Sequence, residues 1–268
     1  MNDYFYKIWI PLQILTAGAF VAICMGYVTV NLWVVFISWF LMGPVGVGVG
    51  YHKLFSHRQF ETWKPVEYIL ALLGTLSAYA PVLFWASQHQ YHHSTSDTEA
   101  DPSSPSVHGF WESFLWWRLR DSIVRKINLR NYCIRIILRD KVLMFLSKHF
   151  IKIVYIFAII LAVIDVNWLV CVFVIPTFIE RQRVNIVSSL SHIRIPFSYR
   201  NFDTKDNSQN NIFVGFLTMG FGWHNNHHNN PRELINSHRW WEVDIEGQLS
   251  KLLSKRKSNG GRKETITQ

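Results

Sequence analysis

No Asp, Glu, Lys or Arg occurs anywhere between Ile8 and His52. A helix crosses a bilayer in about 20 apolar residues, so this run is too long for one crossing and suits a hairpin of two. Its turn falls near Thr29-Val30-Asn31, where polarity rises without a charge having to cross. A cleaved leader is the rival reading, because Ala17-Gly18-Ala19 is a small-residue triplet. Only Lys7 supplies a basic start, however, and the apolar run continues far past the triplet, so an anchored hairpin is preferred. Gly43, Gly46, Gly48 and Gly50 crowd its second half. On a membrane helix such glycines admit close approach by another helix or by a flexible ligand chain.

The rest of the chain follows from that anchor. Val66 to Trp85 is apolar again but is interrupted by Gly74 and Pro81. It reads as an interfacial or re-entrant helix, since a full crossing would separate the histidines on its two sides. Ser94 to Pro105 is a polar loop, and Phe110-Trp111 through Trp116-Trp117 form an aromatic belt of the headgroup kind. A basic segment comes next: Arg118, Arg120, Arg125, Lys126, Arg130, Arg135, Arg139 and Lys141. The second hairpin runs from about Val142 to Ile179 and turns at Asp165-Val166-Asn167. Neither turn carries Lys or Arg, so both face outward. The histidines, the basic loop and both termini then share the cytoplasmic side of a bacterial inner membrane, or of the endoplasmic reticulum.

The expectation is an all-α, multi-pass integral membrane protein. Spans fall at about 8–29, 32–52, 143–164 and 166–187, a helical cap is built from 53–142 and 188–254, and the tail is 255–268. The net charge of +9 would suit a nucleic-acid partner in isolation. Lying between apolar hairpins, the basic segment instead serves membrane orientation, and no nucleic acid is expected. Cys24, Cys133 and Cys171 are isolated, with no Cys-x-x-Cys, which excludes zinc ribbons, iron–sulfur clusters and a disulfide framework.

The polar part is organised around histidine. His89-Gln90-Tyr91-His92-His93 places imidazoles at i, i+3 and i+4, on one face of a helix, and His224-Asn225-Asn226-His227-His228 repeats the spacing. His52 and His57 lie upstream. On one regular helix those two would diverge by about 140°, so both serve one centre only if the helix ends between them or each faces a different metal. Eight imidazoles suffice for two ions with an open position each. Nitrogen ligands without bridging carboxylates leave the ions Lewis acidic and redox-active, and iron is preferred because it can activate dioxygen. No Glu is followed by His at i+3, so this is not a soluble di-iron carboxylate bundle. His108, His149 and His238 lack the spacing and are expected to be dispensable.

In this order, between two apolar hairpins, the histidine groups resemble those of the membrane-bound fatty acid desaturases, above all the Δ9 acyl-lipid and acyl-CoA enzymes. The flanks agree: Gly50-Tyr51-His52 through His57-Arg58; Trp85 before His89, with Asp97 and Asp101-Pro102 after it; Asp203 through Asn211; and Gly222-Trp223-His224 through Pro231, then Trp240-Trp241-Glu242-Val243-Asp244. The resemblance covers about Gly43 to Leu253. It implies a di-iron centre beneath a cytosolic cap and a cis double bond, at Δ9, inserted into a saturated acyl chain with O2 and two electrons from a separate donor. It adds His192 as a ninth ligand, puts Ser188 where the family has an outer-ligand Asn, and assigns Trp85 to the substrate tunnel. Phe221 stands where the family has Glu. Ser87-Gln88-His89-Gln90 stands where acyl-CoA enzymes carry two arginines, which leaves acyl-lipid, acyl-CoA and acyl-carrier-protein substrates open. The donor, such as ferredoxin or cytochrome b5, is expected on the basic face, including Arg125 and Lys126. A related alkyl hydroxylase or ketolase is the nearest rival. A membrane metal carrier is the non-enzymatic one, disfavoured because the histidines cluster at one membrane face.

Overall fold

The uncharged run forms two helices, as its length requires. α1 (Ile10–Cys24) is entered through a wider π-type turn at Phe5–Trp9. α2 (Leu32–Phe40) begins at Asn31, whose side chain accepts from the Trp33 and Val34 amides, and continues unbroken as a π-type helix over Leu41–Ser56. The structure, a computed structural model, describes residues 5–117 and 131–255. The basic residues from Arg118 to Arg130, with Arg125 and Lys126 among them, and the tail from 256 lie outside the described residues.

The segment read as interfacial or re-entrant is a pair of helices, α3 (Lys64–Leu76) and α4 (Val82–Thr95), joined at a tip that includes the buried Ala78. That tip packs among Ile8, Leu12, Phe150, Val154 and Phe173 of the apolar bundle. α5 (Tyr132–Arg139) buries Ile134 and Ile137 in the larger core beneath the cap, with Tyr51, Leu54, Leu70 and Trp85. α6 (Lys141–Lys148) and α7 (Phe150–Ile164) follow, bent by 70° from one another. From Val166 the chain is helical through π-type turns at Leu169–Val174 into α8 (Ile175–Leu190).

Among the described residues, two helices are long and apolar enough to cross a membrane: Tyr6–Cys24 and Leu32–Ser56. A third is added if the bent pair α6–α7 is one span. Their outward faces are apolar, with Trp33 76% and Val163 81% exposed. A water-soluble bundle would place polar side chains there. The expected fourth span is helical, but Glu180, Arg181 and Arg183 enter its second half, so it lacks an uncharged stretch as long as the first two have. The two hairpin turns touch: the Thr29 amide donates to Asn167 Oδ1 at 2.8 Å. Both turns thus sit at the same end of the bundle.

The cap is small. A two-stranded antiparallel ribbon pairs β1 (Ser198–Tyr199) with β2 (Asn210–Asn211). It leads into α9 (Ile212–Leu217), α10 (His224–Asn229) and α11 (Ile245–Leu253). A buried ionic group ties the cap to the spans. Arg183 donates to Glu180 at 2.8 Å and to Glu246 at 2.6 Å, and Lys53 lies 3.4 Å from Asp244. Two glycines of the π-type helix make room for these acids, since a Cβ on Gly43 or Gly48 would collide with the Glu180 or Glu246 carboxyl. Gly46 instead lies against the α3 backbone at Leu73 and Gly74, the close helix approach that its lack of a side chain allows.

Candidate metal centre

The structure brings all nine sequence-designated histidines together. His52, His57, His89 and His227 form one group and His92, His192, His224 and His228 a second, the ligand atoms within each lying no more than 4.8 Å apart. His93 joins the first group, its Nε2 being 2.9 Å from that of His227 and 3.1 Å from that of His89. His108, His149 and His238 belong to neither group.

Helix geometry explains the first pair. The helix ends at Ser56, so His57 lies just past it, and in π-type winding residues five apart lie nearly one above the other. His52 and His57 therefore face the same group, with ring centroids 5.1 Å apart. Of the two ways in which both could serve, the end of the helix between them is the one realised.

Each three-histidine helix divides its ligands. On α4, His89 and His93 go to the first group and His92 to the second. On α10 the division is reversed, His224 and His228 going to the second group and His227 to the first.

The nitrogen spacing tests the fit to metal. Nε2 atoms lie 2.7 Å apart between His57 and His89, 3.0 Å between His52 and His227, and 3.0 Å between His192 and His224. Bonds of about 2.1 Å at right angles put their nitrogens about 3.0 Å apart, and tetrahedral angles about 3.4 Å. The spacing matches right-angled coordination with further positions open, unlike a closed structural zinc site. Burial, reinforced by neighbouring imidazoles, holds His89, His93, His224 and His227 well below the usual histidine value, and His57 down to about 3. Those rings are neutral, with lone pairs free for metal.

Three carboxylates whose role the sequence reading missed support the second group. His92 donates from Nδ1 to Asp101 at 2.9 Å, His192 to Asp97 at 2.8 Å and His228 to Asp206 at 2.5 Å. Each bond fixes the tautomer and turns Nε2 toward the ion. The buried Nε2 of His228 has no hydrogen-bond partner, which fits a nitrogen reserved for metal. Burial opposes ionisation of these acids, yet their hydrogen bonds and histidine partners hold all three below the usual carboxylate range. Asp101, with Asp97 and Asp206 behind it, raises His92 despite burial. In the first group the Nδ1 atoms of His52 and His227 have no such partner. The available signal was a carboxylate in each polar loop flanking a triplet, although spacing alone does not say which ring it holds.

An apolar cavity opens beside the centre, bounded by Tyr79, Trp85, His92, Val184, Ser188 and Phe221. Trp85 lines this cavity, its ring 6.2 Å from that of His89. Ser188 donates its hydroxyl to the Asn185 carbonyl at 3.1 Å. Phe221 packs 4.7 Å from the His52 ring under the Arg183 guanidinium. Gln90 helps position the His89 triplet, donating to the Ser56 carbonyl and accepting from Asn131 at 3.0 Å.

The sequence pattern of the fatty acid desaturases matches residues 11–245. The chain is 33% identical over 222 residues to an sn-2 palmitoyl-lipid 9-desaturase of Nostoc sp. (strain 36), covering 79% of this chain and 73% of that one. It is 33% identical over 224 residues to an sn-1 stearoyl-lipid 9-desaturase of Anabaena variabilis, with 82% and 79% covered. An acyl-CoA C20 Delta5-desaturase of Anemone leveillei is 30% identical over 224 residues, with 83% and 70% covered. Nine clustered imidazoles, an apolar cavity beside them and this degree of identity lead to one conclusion: the chain belongs to the fatty acid desaturase family and is a membrane-associated desaturase.

Proposed function

We propose that this desaturase is a di-iron enzyme that inserts a Δ9 cis double bond into a saturated acyl chain of a membrane lipid. The observation that carries the reading is the meeting of both imidazole groups with one apolar cavity, through His89, His92 and His224. Iron is favoured over zinc by the right-angled nitrogen spacing and by the need for a redox ion. The acyl-lipid substrate is favoured by the names of the relatives at 33% identity, and by Gln88 and Gln90 standing where a phosphate clamp would need arginine. Four crossings are proposed, with α8 completing the second hairpin and the cap in the cytosol. The touching turns support this, since they set both hairpin ends opposite the histidines.

In the balanced reaction, R–CH2–CH2–R′ with O2, two electrons and two protons gives R–CH=CH–R′ and two waters. Two iron ions held by the histidines would supply the redox chemistry that turns dioxygen into the oxidant. His52, His57, His89, His93 and His227 would hold one ion; His92, His192, His224 and His228 would hold the other, with Ser188 nearby as a candidate outer-sphere group. Asp97, Asp101 and Asp206 fix the ring orientations. Trp85, Tyr79 and Phe221 wall the cavity with apolar surface, which would exclude water and hold an acyl chain beside the centre.

Expression in a host lacking its own Δ9 desaturase, followed by fatty acid analysis of each lipid class, tests the proposal. Δ9 monoenes esterified in glycerolipids are expected. Hydroxylated products, or no product with an iron-loaded enzyme and a competent donor, overturn it.

A further inference from the structure

Trp240 is 91% exposed, more than any other large hydrophobic side chain among the described residues. Its ring meets that of Trp241 edge-on at 5.5 Å. The Arg239 guanidinium lies 5.2 Å over Trp241 and 4.7 Å over Tyr199. Two hydrogen-bonded routes lead inward from this cluster to the same residue. Arg239 Nε donates to Asn201 Oδ1 at 2.6 Å, and Asn201 Nδ2 donates to Asn226 Oδ1 at 2.9 Å. The Tyr199 hydroxyl donates to Glu242 Oε1 at 2.6 Å, while Asn226 Nδ2 donates to Glu242 Oε2 at 2.9 Å. Asn226 immediately precedes His227, whose imidazole belongs to the first metal group.

We propose that Arg239, Trp240 and Trp241 form the port at which an acidic one-electron carrier protein docks and passes electrons through Asn226 to His227. The proposal rests on the desaturase reading, whose two electrons require a donor: two reduced carriers each lose one electron for every double bond formed. Bonded routes couple a surface group to a buried ion better than gaps do, and the routes from Arg239 and Tyr199 both end at the residue before a ligand. A centre of tryptophan and arginine within a polar rim is the composition of a protein-binding patch. The rim here includes the fully exposed Asp203, 3.8 Å from Arg200, and Glu233, 3.2 Å from His238. A bilayer would not tolerate that rim. Lipid suits α9 instead, where Phe213, Phe216 and Leu217 are exposed without charge between them. Arg239 is bonded to a neutral amide, so its charge stays available, and the net charge of +9 steers an acidic carrier toward the protein.

The test uses iron-loaded enzyme in nanodiscs and an acidic ferredoxin. Two quantities are read: the Kd for oxidised ferredoxin, and the rate at which reduced ferredoxin is reoxidised in the presence of substrate. Trp240→Glu should weaken binding and slow reoxidation by about tenfold or more. Iron content and the product of a single turnover driven by dithionite should stay at the parent level. Trp240→Phe should restore binding, and Lys251→Glu on α11 should change neither quantity. Unchanged Kd and reoxidation in Trp240→Glu overturn the port. Failure of the desaturase reading is separate: the parent enzyme would then form no double bond even with dithionite.

Discussion

At the scale of single residues, Asp101 shows what governs the centre beyond its ligands. Removing its charge loosens His92 without touching a ligand atom. Losing such a partner costs about 10–100-fold in metal affinity or activity. Asp101→Asn should therefore lose iron at a chelator concentration the parent survives, with activity falling in parallel, as elemental analysis and product assay would show. His92→Ala should abolish desaturation and lower bound iron. His149→Ala should keep both, because His149 packs against Phe145 at the α6–α7 bend and belongs to neither metal group. Full activity in His92→Ala would sink the ligand assignment. The spacing of the histidines made eight of them legible as a group in the sequence, and the resemblance added His192. Spacing did not say which ion each ring serves, because i, i+3 and i+4 share a helix face, and the placement of the ions decides how that face is divided.

Among the elements, the π-type half of the second span departs most from sequence expectation. The glycines signalled close approach, and Gly46 against α3 is such a contact. That Gly48 accommodates a carboxyl was hidden, because Glu246 lies nearly two hundred residues later in the chain. Buried, and with Asp244 nearby opposing the attraction of Arg183 and Lys53, Glu246 is pushed up to about 7. Its Oε2 has no hydrogen-bond partner. A raised acid keeps its proton in the folded state after the unfolded chain has lost it. The contribution of Glu246 to stability thus declines as pH rises from the ordinary glutamate value, about 4.3, through 7, and levels off above. The depressed histidines of the centre act the other way, gaining stability as pH rises through their ordinary value, and they do so whatever stands at 246. Glu246→Gln still offers an acceptor to Arg183 and no longer titrates, so the Tm of the parent measured against that of Glu246→Gln in detergent should fall by several degrees between pH 5.5 and 8. Parallel curves for the two proteins would remove Glu246 as the cause.

For the molecule as a whole, the hairpins were legible because an uncharged run has few alternatives in water. The proposed fourth crossing was harder to read, since Glu180, Arg181 and Arg183 are buried, and Glu246, which shares Arg183 with Glu180, lies far along the chain. Topology has a direct test. Tyr27 lies in the first turn and is 72% exposed. In a Cys24→Ser background, Tyr27→Cys should react with an impermeant maleimide applied to intact cells, and Lys251→Cys only after the cells are opened. Labelling in the reverse order would invert the protein in the membrane. The crossed division of ligands on α4 and α10 reaches further than geometry. With both ions bound, each helix would be pinned by both, so the departure of either one would free a ring on each helix and loosen the seat of the other. Loading should therefore be cooperative: a preparation holding one iron per chain is expected to be a mixture of full and empty molecules, with few half-filled ones between them.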